Sequence, residues 1–468
     1  MKKKSLLLLA GVGFVACSSS TADAPVAPVD SGSAIDSGVI PDAPADVPAD
    51  SDAAVGCSTP IANDGQKDMR SKCTFAAGAK VADTLGLSAA DRAKIPISHV
   101  IVMMKENRSF DMYFGKLTKA GQTVEGIPAD YSNPDPSGAQ VKPFHQTNTC
   151  VKNDPAHQYV DMHNQYDGGK LDGFVKSAAA TSDPASDGKY VLGYYEQTEL
   201  PFYYWLAGTY AVADHYFASA MSGTWTNRLY LEAGNSYGVK STAIDYSPTG
   251  MKSIFDELDA AKVTWGVYSD DTAPLDGSMI GTGWDSSHAG VGTTAMFLKK
   301  LADGTLPQVT FIDSLENDED EHPPADLQKG EAWTKKIYDA VVNSPLWLDK
   351  DKKGVALIYT YDESGGFFDH VDPPKACPPT SDAKDAEWNQ NGFRVPFVLI
   401  SPYSRKGYVS HVNHEHTSIT RFIEALYDLP AMTARDANVD ALLDMFDFGC
   451  APVDKPADAP APGTGACK

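Results

Sequence analysis

The amino-acid sequence predicts an α/β fold with a mostly parallel central sheet covered by helices. Apolar runs of strand length recur along the chain, segments with helical periodicity alternate with them, and polar residues directly follow each run. Such alternation is typical of a parallel sheet with helices packed on it. With 468 residues, 42% of them hydrophobic, the chain is long enough to form one large domain with a substantial core.

The first apolar run lies in residues 98–115, which read SHVIVMMKENRSFDMYFG. His99 to Met104 have the character of a buried strand, and Glu106 and Asn107 follow at once. Open α/β sheets bind ligands beyond the carboxyl ends of their strands. A carboxylate and an amide at that point suit a hard metal ion or a polar substrate. The alternative is a solvated loop after a strand.

Three further runs have the same character. VALIYTY (355–361) is followed by Asp362 and Glu363, QVTFID (308–313) leads to an acidic stretch that ends at His322, and VPFVLIS (395–401) leads into residues 402–405. We expect all four runs to deliver polar groups at the same edge of the sheet. The acid and amide pairs after two of them favour a metal site.

Helices are predicted at residues 253–262, 331–344 and 417–428. The last of these carries apolar residues at helical spacing, which indicates a face buried in the core. Residues 115–170 and 264–300 are rich in polar residues, and we expect them to form long loops at the rim of a site.

The N-terminus has the pattern of an export signal. Three lysines precede a short apolar run, which ends at Cys17 in a sequence resembling a lipoprotein cleavage site. Residues 1–17 are therefore predicted to be a lipoprotein-type signal peptide, with an ordinary secretory signal as the alternative. Residues 18–56 contain seven aspartates and no Lys, Arg or aromatic residue, which predicts a disordered tether. A folded domain is predicted at 57–450 and a short Pro/Ala-rich tail at 451–468.

The cysteine content fits an exported protein. Lipidation of Cys17 would leave six of the seven cysteines, enough for three disulfides. Six cysteines allow 15 pairings; proximity in sequence suggests Cys57–Cys73 and Cys450–Cys467, with Cys150–Cys377 remaining.

The net charge of −23 argues against a nucleic-acid partner. No protein partner is predicted.

Histidines are concentrated in one region. Three of the eleven, His145, His157 and His163, lie close together, and His157 ends the segment Asp154-Pro155-Ala156-His157. This grouping suggests a polar site, although surface histidines are common.

Residues 222–234, SGTWTNRLYLEAG, predict a turn that opens a helix. A hydroxyl at a helix start lies among free backbone N–H groups and in the positive field of the helix, which favours both an attacking oxygen and a bound phosphate. Simple N-capping is the alternative. Asn227 and Arg228 follow these hydroxyls.

Asp369 and His370 follow the Asp362–Glu363 pair. They could support the acidic pair, or they could belong to a structural turn.

Seven ordered segments together resemble the phosphoesterase family that contains bacterial phospholipases C and acid phosphatase A. The similarity runs from about residue 97 to 430, and the segments are ENRSFDMYFG, DPAH with GGKLDGF, SGTWTNRLYL, EHPPADLQKGEAW, TYDESGGFFDHVDPP, RVPFVLISPYSR and HTSITRFIE. The resemblance implies a three-layer α/β/α sandwich like that of alkaline phosphatase.

The resemblance also implies roles for residues at matching positions. The expected ligands of a divalent metal are Glu106, Asn107, Asp362 and Glu363. The expected catalytic residues are Thr224 as nucleophile, with His157 and His322 facing the phosphate. The family often has Gly-Pro-Thr where this chain has Ser222-Gly223-Thr224, which leaves Ser222 and Thr226 as other nucleophile candidates. Weaker candidates for contacts to substrate or ligands are Asn227, Arg228, Asp369, His370 and His145.

The predicted activity is metal-assisted hydrolysis of phosphoester bonds through a phospho-threonine intermediate. We favour a phospholipase C-type phosphodiesterase acting on phospholipids, because a threonine nucleophile resembles the phospholipase branch. An acid phosphatase acting on small phosphoesters is the alternative, and a lipid-anchored envelope protein that binds phosphorylated ligands without turnover is a third hypothesis. Oxygen ligands favour Ca²⁺, Mg²⁺ or Mn²⁺, although Zn²⁺ and Fe also accept carboxylates.

Overall fold

The computed structural model describes residues 64–181, 186–240, 251–271, 290–456 and 459–468. The predicted signal peptide with Cys17 and the tether at 18–56 lie outside the described residues and stay predictions. Among the residues described, none of the helices has both the length and the apolar character needed to cross a membrane.

A central sheet organises the fold, and eight strands build it within the described ranges. In chain order they are β1 (Ile97–Lys105), β2 (Ala211–Ala213), β3 (Trp265–Tyr268), β4 (Val291–Gly292), β5 (Val309–Ile312), β6 (Gly354–Tyr361), β7 (Phe397–Ile400) and β8 (Val409–Ser410). Across the sheet their order is β8-β2-β7-β6-β1-β5-β3-β4. The two longest strands, β1 and β6, are neighbours and pair in parallel.

The sheet is mostly parallel, as the sequence predicts. Of the eight strands described, only β7 is antiparallel to its neighbours, β6 and β2. The expectation that all four apolar runs end at one edge is therefore right for β1, β5 and β6 and wrong for β7. Pro402, just after β7, packs against Gly354 at the start of β6, far from the carboxyl end of that strand. An apolar run indicates burial but carries no information about strand direction.

Burial explains why β1 and β6 read as continuous apolar runs. From Val100 to Met104 no side chain exceeds 1% exposure, and every residue of β6 is buried. Parallel sheets have both faces covered, so their strands lack the alternation of half-exposed strands.

Thirteen α-helices accompany the sheet in the described part of the chain. They are α1 (Lys67–Arg70), α2 (Val81–Leu85), α3 (Ala89–Arg92), α4 (Phe110–Phe114), α5 (Tyr159–Tyr166), α6 (Phe174–Thr181), α7 (Pro201–Thr209), α8 (Thr224–Ala233), α9 (Ile254–Ala261), α10 (Thr294–Ala302), α11 (Leu327–Val342), α12 (His416–Tyr427) and α13 (Ala434–Ala437). Helices α8, α9, α12 and α13 pack in one group, and α7, α10 and α11 in another. With the sheet they give the predicted three-layer α/β/α sandwich.

The three predicted helices correspond to α9, α11 and α12. Helix α11 begins earlier than predicted, because the Asp326 side chain accepts a hydrogen bond from the Gln328 N–H and caps the helix. The prediction of a long loop at 264–300 is wrong, since β3, β4 and most of α10 lie there, and α5 interrupts the loop predicted at 115–170. Strands of two to four residues are too short to show a hydrophobic period.

Between described cysteines, two disulfides join parts of the chain that are distant in sequence, Cys73–Cys377 and Cys150–Cys467. Cys450 is also disulfide-bonded. The pairing suggested by proximity in sequence is therefore wrong, because the fold decides which cysteines meet. The segment near Cys467 is hydrogen-bonded to α11, since the Ala466 N–H donates to Gln328 Oε1.

His414 is completely buried between two carboxylates. Its Nε2 lies 3.1 Å from Asp444 Oδ1 and its Nδ1 lies 3.9 Å from Asp440 Oδ1. Burial disfavours the charged ring, but the attraction of Asp444 and Asp440 outweighs burial and the repulsion of Arg70 and raises the His414 pKa.

We expect protonated His414 to stabilise the folded state in the acidic range. Because its pKa is raised on folding, this stabilisation is complete below the unfolded pKa of about 6.5 and is lost as the pH rises through the folded value. The free energy of unfolding, measured with urea, should fall more steeply above about pH 6.5 in the wild-type protein than in His414→Gln. Equal slopes in the two proteins would contradict the expectation.

Candidate active site

Three neighbouring strands deliver acidic residues to one edge of the sheet. Glu106 and Asn107 follow β1, Asp362 and Glu363 follow β6, and Asp313 follows β5. Because these strands are parallel, their carboxyl ends meet. All five residues are at most 4% exposed. The sequence predicted the first four, and Asp313 was missed although it ends the QVTFID segment.

Oxygen atoms at this edge lack partners. No hydrogen-bond donor among the described residues reaches Asn107 Oδ1, Asp362 Oδ2 or Glu363 Oε1, although each atom is buried. Burial and the nearby Glu106 raise the pKa of Asp362 well above its ordinary range, against the opposing effects of Arg228 and the Thr224 hydroxyl. Burial and Asp362 likewise raise the pKa of Glu363. Buried polar atoms are normally hydrogen-bonded, so this set fits a bound cation with oxygen ligands.

Two histidines near this edge, with ring planes 72° apart, make the same kind of hydrogen bond. The Nδ1–H of His157 donates to the Pro155 carbonyl at 2.6 Å, and that of His322 donates to the Pro323 carbonyl at 2.8 Å. The Nε2 of each ring is thereby left for other partners. His157 Nε2 lies 3.4 Å from Asn107 Nδ2 and 3.7 Å from Glu363 Oε1.

Asp154 joins the two histidines and was missed by sequence reasoning, although it begins the DPAH segment. It lies 3.6 Å from His157 Nδ1 and 4.0 Å from His322 Nε2. Burial opposes a charge on His322, but Glu106 and Asp154 outweigh it and raise the His322 pKa. Asp154, His157 and His322 each offer a ligand atom within 4.8 Å of the others, so this group is a second place where a metal ion could bind.

Thr224 is the first residue of α8 and is only 5% exposed. Gly223 before it lies against the loop that carries His157, because a Cβ on Gly223 would be 3.4 Å from the His157 carbonyl oxygen. The other two hydroxyls have structural partners. Ser222 Oγ and Thr226 Oγ1 are 2.9 Å apart, and Thr226 Oγ1 donates to the Val239 carbonyl.

Asn227 and Arg228 support this arrangement in different ways. The Asn227 amide donates to the Ser222 carbonyl at 2.7 Å and accepts from the Ala220 N–H, so it braces the turn that leads to Thr224. Arg228 lies one helical turn after Thr224. Its guanidinium is 3.2 Å from Asp313 Oδ1 and 3.3 Å from Glu106 Oε1, which ties α8 to the ends of β5 and β1.

The structure does not bring the other weak candidates into direct contact with this edge. His145 Nε2 pairs with Glu199 Oε2 at 2.8 Å. Asp369 and His370 belong to a separate buried cluster with Asp111 and Arg394.

His416 was not predicted as part of the site. Its Nε2–H donates to the Asp362 carbonyl at 2.6 Å, and its Nδ1 lies 3.1 Å from Tyr216 Oη. Burial lowers the His416 pKa to about 4, so the ring is neutral and anchors the start of the acidic loop. Its own segment, HTSITRFIE, is apolar at helical spacing and gave no signal for this contact.

The fold and this edge define an α/β protein with a buried, oxygen-lined site at the carboxyl ends of its parallel strands. Comparisons with known proteins show which reaction class such a site belongs to. Phospholipase C A of Mycobacterium tuberculosis is 31% identical over 419 residues, covering 76% of this chain and 78% of that relative. Non-specific phospholipase C6 of Arabidopsis thaliana is 29% identical, covering 73% of this chain and 70% of that relative.

The family model of the Phosphoesterase family matches residues 97–430, and the chain belongs to this family. The protein is therefore a phosphoester hydrolase. Among solved structures, a protein in the alkaline phosphatase superfamily from Vibrio parahaemolyticus is similar, with a TM-score of 0.35, 13% identity and coverage of 70% of this chain and 75% of that chain.

Proposed function

We propose that the protein is a phospholipase C-type phosphodiesterase that uses a divalent metal ion and a phospho-threonine intermediate. The observation that carries the proposal is the placement of the Thr224 hydroxyl beside Asp362, within a set of buried carboxylates that have unpartnered oxygens. The names of the similar phospholipases C support a diester substrate.

The residues that would hold the metal are Glu106, Asn107, Asp362 and Glu363. The unpartnered, buried oxygens of the last three favour them over the group around Asp154, whose carboxylate is 41% exposed to water. When bound, the metal would neutralise charge on the phosphoryl oxygens and favour the ionised form of a nearby hydroxyl.

In the proposed reaction, the Thr224 hydroxyl passes its proton to the adjacent Asp362 carboxylate, Oγ1 attacks phosphorus, and the bond from phosphorus to the leaving oxygen breaks. The free N–H groups at the start of α8 stabilise the phosphoryl oxygens. His322 protonates the leaving alkoxide, because its Nε2 faces the site and its side chain, at 23% exposed, is nearer to solvent than that of His157 at 7%. Water then attacks the phosphorus of the intermediate and gives a proton to His322, while the Thr224–phosphate bond breaks and the Thr224 oxygen takes back its proton from Asp362.

The substrate class is tested by comparing kcat/KM on p-nitrophenyl phosphorylcholine and p-nitrophenyl phosphate with the purified protein, disulfides intact. We expect a clear preference for the diester. A preference for the monoester would instead indicate an acid phosphatase. Binding of both without turnover, in buffer supplemented with metal, would indicate the third hypothesis.

Metal binding should stabilise the protein through the four proposed ligands. Adding Ca²⁺, Mg²⁺, Mn²⁺ or Zn²⁺ separately to chelator-treated protein should identify an ion that raises Tm. The expected gain is about 2.7 kcal/mol when that ion is present at 100 times its Kd. The gain should disappear in Asp362→Asn and persist in Asp154→Asn. The reverse pattern would place the metal on the Asp154 group.

We also propose that lipid on Cys17 holds the enzyme at the bacterial cell envelope, close to a phospholipid substrate. The proposal rests on the signal sequence alone. Labelling of cells with a radioactive fatty acid should mark the wild-type protein and leave Cys17→Ser unlabelled. Label on both proteins, or on neither, would contradict it.

A further inference from the structure

Glu321 immediately precedes His322 and is completely buried. Its carboxylate receives four donors from three other parts of the chain. They are Lys105 Nζ at 2.5 Å, Tyr113 Oη at 2.5 Å, and the hydroxyls of Tyr203 and Tyr361. Lys105 is itself fully buried and also donates to the Gly330 carbonyl at 3.0 Å. We call Glu321, Lys105 and the three tyrosines the glutamate clamp.

The clamp is not explained by stability alone. Taking a carboxylate and an ammonium out of water is costly, and a buried ion pair is often no more stabilising than apolar residues of similar volume. The four donors do, however, hold the Glu321 carboxylate in one position, because each of them restricts where it can lie.

The clamp is attached to the strands that deliver the proposed metal ligands. Lys105 is the last residue of β1 and precedes Glu106, while Tyr361 is the last residue of β6 and precedes Asp362. A movement of the Glu321 carboxylate away from the ends of β1 and β6 would therefore lengthen its buried hydrogen bonds with Lys105 and Tyr361.

The backbone around Glu321 is held as well. Its φ is +79°, a left-handed conformation that non-glycine residues rarely adopt. The Arg108 guanidinium donates to the Glu321 carbonyl, and the Glu106 N–H donates to the Asp320 carbonyl at 3.2 Å. Helix α11 comes so close that a Cβ on Gly330 would be 2.2 Å from the Glu321 side chain. The backbone that leads to His322 is therefore held at two successive carbonyls, those of Asp320 and Glu321.

We propose that Glu321 is a positioning residue that fixes the His322 imidazole relative to the ends of β1 and β6. The inference rests on the proposed function, since it assigns His322 to the leaving group. Reactions of this kind are sensitive to displacements of about 1 Å, which can lower the rate by about 100-fold. Glu321 therefore acts through His322 and does not touch the substrate.

The test compares Glu321→Gln and the double variant Lys105→Met/Glu321→Gln with Glu331→Gln. The double variant removes both buried charges together, so neither is left unpaired. Glu331 is the matched control, because it is also buried and lies on α11, and because its donors among the described residues are the backbone N–H groups of Phe202, Tyr203 and Gly463. If the double variant does not fold, Tyr113→Phe removes one donor and serves the same purpose.

We expect kcat to fall about 10- to 100-fold in both Glu321 variants, with KM changed less than about threefold. Glu331→Gln should keep its kcat even if its Tm is lowered. In a His322→Gln background, Glu321→Gln should cause no further loss, because the group through which it acts is already absent. An unchanged kcat in the double variant, or a further loss in the His322→Gln background, would overturn the proposal.

A spectroscopic measurement separates this proposal from the proposed function. The His322 ring signal in a ¹H–¹³C NMR spectrum, assigned by its loss in His322→Gln, should shift or broaden in the Glu321 variants and not in Glu331→Gln. An inactive wild-type protein would overturn the proposed function alone. An unchanged ring signal in the Glu321 variants would overturn the positioning role.

Discussion

Replacing Thr224 with alanine is expected to lower kcat by about 10⁴-fold or more, since the group that forms the covalent bond to phosphorus is removed. Thr224 is almost buried at the start of α8, and the hydroxyls on either side of it, Ser222 and Thr226, are bonded to each other. Binding of phosphorylcholine, measured by calorimetry, should change by less than about threefold, because the metal ligands and histidines are intact.

Three further variants identify the hydroxyl that acts. Ser222→Ala and Thr226→Ala should retain most of the activity, because those hydroxyls bond to each other and to the Val239 carbonyl. Thr224→Ser should retain part of it, since a primary hydroxyl remains in place. Unchanged turnover in Thr224→Ala would show that the nucleophile is wrongly assigned.

Replacing Arg394 with methionine is expected to lower the free energy of unfolding by about 3–5 kcal/mol. The fully buried guanidinium is 2.9 Å from Asp111 Oδ1 and 2.8 Å from Asp369 Oδ1, and it also donates to the Glu125 and Asp214 carbonyls. Its removal leaves two buried carboxylates without their main counter-charge. Urea unfolding at pH 7 measures the loss.

The loss caused by Arg394→Met should depend on pH. Burial already raises the pKa of Asp369 to about 6 even though Arg394 lowers it, so the variant should have a still higher value. A carboxylate with a raised folded pKa destabilises the protein when ionised, and protonation relieves that cost as the pH falls. The difference between wild type and variant should therefore shrink toward pH 5. Lys299→Met, which breaks an exposed pair with Asp303, should cost at most about 0.5 kcal/mol at either pH.

Local patterns in the sequence are enough to predict the centre of the fold and the acidic edge. The apolar runs before Glu106 and Asp362 are long, and polar pairs follow them at once, so β1, β6 and their side chains were predicted together. The direction of β7 was not predictable, because it depends on how the chain returns to the sheet rather than on the residues of the strand. The other residues that the sequence did not reveal have roles that depend on contacts between distant segments.

Glu321 and Asp154 are two residues of this kind. Glu321 stands in an acidic stretch that reads as a solvated turn, yet its partners Lys105, Tyr113 and Tyr361 come from other segments. Asp154 is meaningful only because His322, which follows it by 168 residues, lies beside it. A single sequence shows which side chains are present but not which distant segments meet.

The disulfides also constrain how the protein matures. Cys73 and Cys377 are separated by 304 residues, and Cys150 and Cys467 by 317. At synthesis rates of about 5–20 residues per second, an interval of 300 residues lasts roughly 15–60 s. Under the export that we propose, Cys57, Cys73 and Cys150 would reach an oxidising compartment well before Cys377 and Cys467, so the thiols first available to Cys73 and Cys150 are not their native partners. Correct maturation would then depend on delaying or undoing non-native bonds, and the yield of active enzyme should rise with the supply of a disulfide isomerase.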